Sequence, residues 1–127
     1  MHLTLLALAS LTTGAVCPSR IQTKQEATTT NVGWEAVQSM HEHRLYGLIF
    51  FFDHPRTLRE LPPDSVKKSE AGDRFFYVLP KGARQLWVEC DYWGTSVVLL
   101  KQLPIGVTRC AVQREPHRED IKVIACS

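Results

Sequence analysis

Three groupings of side chains in this 127-residue sequence bear on chemistry. The first is His41-Glu42-His43, followed at a short distance by Asp53 and His54. On a strand, His41 and His43 point to one side, as a two-ligand metal site needs. A protein zinc site takes three or four ligands, however, and the spacing supplies no third. The segment therefore reads as an exposed polar strand, with no metal and no other cofactor expected. The second grouping is the carboxylates Glu35, Glu89 and Asp91. Glycosidic chemistry needs two acids facing each other across a cleft, whereas Glu89 and Asp91 merely share one face of a strand. The third is four cysteines, Cys17, Cys90, Cys110 and Cys126. A cysteine nucleophile acts as a free thiolate, which an oxidised pair is not. No GxSxG elbow, HExxH, P-loop or GxGxxG occurs. The expectation is a binding protein, not an enzyme.

The cysteines direct attention to the compartment. Leu3 to Leu11 (LTLLALASL) is short, uncharged and mostly apolar, and Thr13-Gly14-Ala15 places small residues ahead of a cleavage site. This is the pattern of a secretory signal peptide over residues 1–15, too short for a membrane span of about 18 apolar residues. The mature chain then comprises residues 16–127, a single exported domain. A lipoprotein reading would acylate Cys17, against which stands the bulk of Val16 just before it. In an oxidising compartment an even cysteine count without CxxC or zinc-finger spacing implies two structural disulfides. If the strands near residues 86–92, 95–101 and 107–113 form a meander, Cys90 and Cys110 lie two strands apart, roughly 10 Å, beyond disulfide reach. Cys17–Cys90 with Cys110–Cys126 then fits best. Passage of the third strand to another sheet through Leu103-Pro104-Ile105-Gly106 would instead allow Cys90–Cys110 with Cys17–Cys126, so the connectivity stays open.

Fifteen basic and thirteen acidic side chains give a net charge of +2, too balanced for a dedicated nucleic-acid or membrane-surface binder. The remainder reads as short strands divided by Pro, Gly, Asp and Asn: Arg20–Lys24, Gly33–Val37, Arg44–Phe52, Arg74–Leu79, Gln85–Tyr92, Thr95–Lys101, Val107–Gln113 and Ile121–Cys126. The fold class is all-β, a single antiparallel β-sandwich or barrel of about seven to eight strands stapled by two disulfides. One helical turn is expected at Thr57–Leu61, stopped by Pro62-Pro63. Asp64 to Asp73 reads as a polar loop. Asp53-His54-Pro55 reads as a turn in which Asp53 accepts backbone hydrogen bonds.

The most sharply patterned piece is the hairpin Gln85–Lys101. A two-residue turn at Trp93-Gly94 would pair Tyr92 with Thr95, Cys90 with Val97 and Val88 with Leu99. Leu86, Val88, Cys90, Tyr92, Val97 and Leu99 would then face the core. Trp87, Glu89, Asp91, Val98 and Leu100 occupy the other face, which the Phe50-Phe51-Phe52 segment or another strand would cover. Left uncovered, it would be a partner patch with Trp87 as anchor. A second candidate is the charged tip Glu115-Pro116-His117-Arg118-Glu119-Asp120, suited to insertion into a partner's cleft. The segment His41–Arg44, including His43, is a third.

Trp87-Val88-Glu89-Cys90-Asp91-Tyr92-Trp93-Gly94 and Leu103-Pro104-Ile105-Gly106-Val107-Thr108-Arg109-Cys110 carry a resemblance, together with Cys17-Pro18, Gly33-Trp34, Phe51-Phe52-Asp53 and Cys126. The chain resembles a family of small, largely uncharacterised exported proteobacterial proteins, one founding member of which lies in an enteric type VI secretion island. It departs from them in its short uncharged leader and in His54, where a small residue is expected. The resemblance spans most of the mature chain and brings no catalytic motif. It implies a periplasmic immunity protein, a toxin inhibitor that occludes a cognate effector attacking the envelope, peptidoglycan in its most specific form. An envelope accessory module or a periplasmic lysozyme inhibitor is the alternative. Host lysozymes are strongly basic, so a chain of pI 8.4 suits that last role poorly.

Overall fold

Leu86, Val88, Cys90 and Tyr92 are buried on β6 (Leu86–Tyr92), while Trp87, Glu89 and Asp91 between them are half-buried. This period-2 alternation is the mark of a strand with one face on the core. In the computed structural model, which describes residues 11–29, 31–37, 39–54, 59–80 and 85–127, β6 is central to a five-stranded antiparallel sheet. Its members are β1 (Arg20–Gln25), β2 (Ser39–Phe52), β6 and β7 (Val98–Gln102) in that order, with β3 (Glu60–Leu61) added to the far half of β2. A second antiparallel sheet runs β4 (Ser65–Lys67), β5 (Arg74–Val78), β8 (Arg109–Arg114) and β9 (Ile121–Cys126). One apolar core joins the two sheets. Phe50 and Val88 of the first meet Val112 and Ile124 of the second within it, and the rings of Phe50 and Tyr77 contact edge to face at 4.8 Å.

β2 carries an irregularity that shapes the whole molecule. In its first half the inward residues are odd-numbered, His43 and Leu45; after Gly47 they are even-numbered, Leu48 and Phe50. The switch is a β-bulge: Leu45 pairs with Tyr92 and Gly47 with Asp91, leaving Tyr46 as the extra residue. The half before the bulge pairs with β1, from Arg20–Arg44 to Gln25–Ser39, and the half after it with β6.

Two disulfides close the core, Cys17–Cys90 and Cys110–Cys126, with Cα atoms 5.8 and 4.1 Å apart. The first ties the chain just after a single helical turn, α1 (Thr13–Val16), to β6; the second crosses the β8–β9 pair, where Cys110 lies opposite Cys126. Val16 is buried, and Leu11 exchanges backbone hydrogen bonds of 2.8 and 2.9 Å with Cys126. The pairing is the one the meander geometry favoured, although the meander itself does not form. β8 leaves the first sheet after Leu103-Pro104-Ile105-Gly106, and Cys110 goes with it.

Other expectations require correction. Asp91 pairs with Val98 and Cys90 with Leu99, two residues out from the register of a two-residue turn. The loop runs from Trp93 to Val97, with the Thr95 hydroxyl accepting the Val97 N–H. Val97 is consequently exposed, not core, while Leu99 still packs inward. Residues 33–37 form turn and irregular backbone and not a strand. Of the helical turn expected at Thr57–Leu61, residues 57–58 lie outside the described residues, and Glu60–Leu61 is strand. The polar segment Asp64 to Asp73 contains β4. Among the described residues no helix is long and apolar enough to cross a membrane.

Candidate partner-binding surface

Two of the segments singled out in the sequence meet in space. Arg44 on β2 and Asp120, immediately before β9, form an ion pair, Nε to Oδ2 at 3.4 Å, with the Asp120 side chain almost wholly buried. The other carboxylate oxygen, Oδ1, accepts the indole N–H of Trp93 at 2.7 Å. Trp93 in turn lies against the bulge residue Tyr46, ring centroids 4.3 Å apart, and its backbone N–H donates to the Arg44 carbonyl. The bulge therefore has a positional role. It presents Tyr46 outward beneath Trp93 and so brings the β6–β7 loop over the end of the β8–β9 hairpin.

His43 braces the same region from below. Its Nδ1 lies 2.6 Å from the Trp93 carbonyl and its Nε2 2.6 Å from the Thr23 hydroxyl. A carbonyl only accepts, so Nδ1 carries a proton, and in the neutral ring Nε2 accepts from Thr23. With both nitrogens engaged and the residue buried, His43 holds β1, β2 and the Trp93 loop together without presenting itself at the surface. His41, two residues away, is exposed. Among the described residues no three His, Cys, Asp or Glu side chains are grouped to hold a metal ion.

Arg114, at the end of β8, clamps the hairpin's other side. Its guanidinium donates to the Tyr46 carbonyl and, at 2.7 Å, to the Glu119 carbonyl, while lying over the Phe75 ring at 5.5 Å. The Glu115 N–H donates to the Asp120 carbonyl and closes the tip at its base. Pro116, His117, Arg118 and Glu119 are thereby displayed to solvent on a fixed frame. An open groove of about 650 Å³ runs along one flank, between the tip and the Ser69–Asp73 turn. On the other flank a recess of about 240 Å³ is bordered by Arg20, Arg44 and Arg118 and by the acids Glu115 and Asp120. In the groove wall Lys68 donates to Asp73 at 3.0 Å and holds its carboxyl below the usual range.

Trp87 sits elsewhere. It pairs with Phe51, near the opposite end of β2 from His43, and its ring meets that of His54 edge on at 4.7 Å. Phe51 flanks it on the outer face, whereas Phe50 points into the core. Glu89 and Asp91 lie on that outer face too. Burial, together with the neighbouring Glu89 carboxyl, pushes Asp91 up to about 7, and its Oδ1 is buried without a hydrogen-bond partner. Glu35 lies on the exposed β1–β2 connection, so the three acids do not converge on a cleft. Asp53 adopts a left-handed conformation, φ 66°. It donates its N–H to the Gln85 carbonyl and faces Arg59 at 3.8 Å, and among the described residues no backbone N–H bonds to its carboxylate.

Nothing local in the chain marks the parts played by Tyr46, Trp93 and Arg114, whose partners are distant in sequence. Trp34, expected within a strand, is 80% exposed in the connection between β1 and β2.

No curated protein matches the chain, and no solved structure does. Residues 38–127 match the type VI secretion system Tli immunity protein family, a span that takes in every strand except β1 and the whole Arg44–Trp93–Asp120 assembly. Membership implies a protein partner, the cognate effector. The chain belongs to the type VI secretion system Tli immunity protein family.

Proposed function

We propose that this chain is an exported, non-catalytic immunity protein that neutralises an envelope-attacking effector by lodging the Glu115–Asp120 tip in or beside the effector's active-site cleft. The observation that supports this reading is the way the tip is held. Asp120 is fastened by Trp93 and Arg44, and Glu119 by Arg114, so the four exposed residues between Glu115 and Asp120 lose little conformational freedom on binding. The mixed charge of His117, Arg118 and Glu119 suits a polar catalytic cleft, and the recess beside it, lined by both arginines and acids, continues that mixed-charge surface. Export agrees with the two disulfides and with the apolar run ahead of Thr13. In the narrowest form of the reading the effector cleaves peptidoglycan.

The experiment is co-purification of the chain with the effector encoded beside it, followed by assay of that effector on peptidoglycan and on phospholipid vesicles. A stoichiometric complex in which the effector is inactive supports occlusion, and the substrate it attacks when free fixes the class. Replacement of His117 and Arg118 by Ala and Glu should weaken the complex at least about tenfold, the range of an interface residue of ordinary weight. Unchanged affinity removes the tip from the interface. Mass determination of the periplasmic protein tests export, with an N-terminus at Val16 expected.

A further inference from the structure

The β1–β2 ribbon extends well beyond the bracing His43. From the Arg20–Arg44 pair to the Gln25–Ser39 pair is five residues of strand, about 17 Å, and the connection lies farther out still. That connection carries a concentration of exposed apolar side chains: Val32, Trp34 and Val37, each at least 77% exposed. It is not featureless chain. The Trp34 N–H donates to the Asn31 carbonyl at 3.0 Å, and Gly33 takes the left-handed conformation the turn requires, φ 85°. Leaving a tryptophan and two valines in water at one tip is costly, and such patches mark binding surfaces. Between β1 and β2, from Glu26 to Gln38, the sequence carries two glutamates and no Lys, Arg or His, while Lys24 lies behind them on β1, opposite Met40.

We infer that the Val32–Val37 tip is an anchor that inserts into an apolar slot of the effector whose rim is basic. The inference rests on the immunity reading and says which second surface of this chain completes the complex. Charge decides the occupant. Two glutamates flanking the apolar tip oppose an anionic bilayer, which attracts basic segments, and they oppose association of two such tips from two copies of the chain. A slot ringed by Lys or Arg satisfies both the apolar and the acidic groups. Position agrees as well. The base of the ribbon is joined to the Glu115–Asp120 hairpin through Arg44 and Asp120, so the two surfaces share one frame on which a single partner can engage both.

The test measures affinity of the full-length wild-type, Trp34→Ala and Trp34→Phe chains for the purified cognate effector, with thermal unfolding alongside. Trp34 is largely outside the core, so the unfolding midpoint should not move. Trp34→Ala should weaken the complex by about thirtyfold or more, as truncation of an interfacial tryptophan does, and Trp34→Phe should restore much of the loss. Glu26→Lys with Glu35→Lys should slow association and reverse its salt dependence at this surface. A Trp34→Ala chain that binds and inhibits as tightly as wild type overturns the anchor while leaving the immunity reading in place. Binding of wild type, but not Trp34→Ala, to phosphatidylethanolamine–phosphatidylglycerol vesicles, with effector affinity unchanged, overturns it in favour of a membrane contact. A wild-type chain that forms no complex with the effector overturns both.

Discussion

The indole N–H of Trp93 donates to Oδ1 of Asp120 at 2.7 Å, and through that contact the loop of one sheet fastens the hairpin tip of the other. Trp93 belongs to the β6–β7 connection and Asp120 immediately precedes β9, so the bond spans the two sheets. Arg44 engages the second oxygen of the same carboxylate. The frame of the tip thus depends on an acceptor that is nearly buried and has two donors.

Trp93→Phe keeps the ring against Tyr46 and removes the N–H. A hydrogen bond to a carboxylate contributes about 1.5–3 kcal/mol when buried, and Trp93 is partly exposed, so a loss of about 1–2 kcal/mol is expected. Asp120→Asn retains an oxygen for the indole and forfeits the Arg44 ion pair. Because Arg44 is exposed, that change should cost less, about 0.5–1 kcal/mol. Denaturant unfolding of the two variants checks the order. Equal losses would mean that the ion pair carries as much as the hydrogen bond.

Asp91 predicts a pH dependence of unusual sign. Burial raises its folded pKa from the model-peptide value of 3.8 to about 7. Between those values the folded state holds more protons at this site than the unfolded chain, so the contribution of Asp91 to stability falls as pH rises from about 4 to 7. Above 7 it is constant. Asp91→Asn removes the charge and keeps the shape. It should leave stability near pH 4 almost unchanged and raise it at pH 8, by the order of 1 kcal/mol once solvent screening is allowed for. Thermal midpoints at the two pH values decide the matter; a variant less stable than wild type at pH 8 would show that the carboxylate has a compensating partner.

The β6 strand could be read directly because its alternation is strict and its turn residues are plain. Its register against β7 could not. A shift of two residues preserves which face points inward, so the hydrophobic pattern fits a tight turn at Trp93-Gly94 and the wider loop equally well. What selects the wider loop is tertiary: Trp93 is held out of the ladder by Tyr46 and Asp120. The bulge in β2 was hidden for a related reason. Leu45-Tyr46-Gly47-Leu48 is apolar or neutral on both phases, and no local signal marks where inward residues change from odd to even. The tip Glu115–Asp120 was legible as a charged turn, but its fastening was not, because Arg44 and Trp93 come from the other sheet.

The disulfides should differ in weight. Cys17–Cys90 closes a loop of 73 residues and Cys110–Cys126 one of 16. On the chain-entropy argument their removal costs about 4 and about 3 kcal/mol respectively. Replacing Cys17 and Cys90 by Ala should therefore lower the unfolding midpoint more than replacing Cys110 and Cys126. The reverse order would indicate that residual structure in the unfolded chain already brings β6 and the N-terminal segment together.

Gly72 and Gly106 both have positive φ, 110° and 99°, and only one of them is crowded. A Cβ at position 72 would lie 1.8 Å from the Arg114 carbonyl oxygen, a backbone atom that cannot turn aside, whereas at position 106 it would meet nothing within 4 Å. Gly106→Ala should cost only the left-handed conformation, about 1–2 kcal/mol. Gly72→Ala must also push the Ser69–Asp73 turn away from β8, breaking the 3.0 Å bond from the Arg114 N–H to the Asp73 carbonyl. About 3 kcal/mol or more is expected, in the range of strained and overpacked sites. Because Arg114 clamps the tip through the Glu119 carbonyl, the displacement should reach the tip. Gly72→Ala should therefore weaken the effector complex even where the protein remains folded, and Gly106→Ala should not. Unfolding curves and complex affinities measured on both variants test the two halves separately. A Gly72→Ala chain that is destabilised yet binds at full strength would show that the groove wall and the tip move independently.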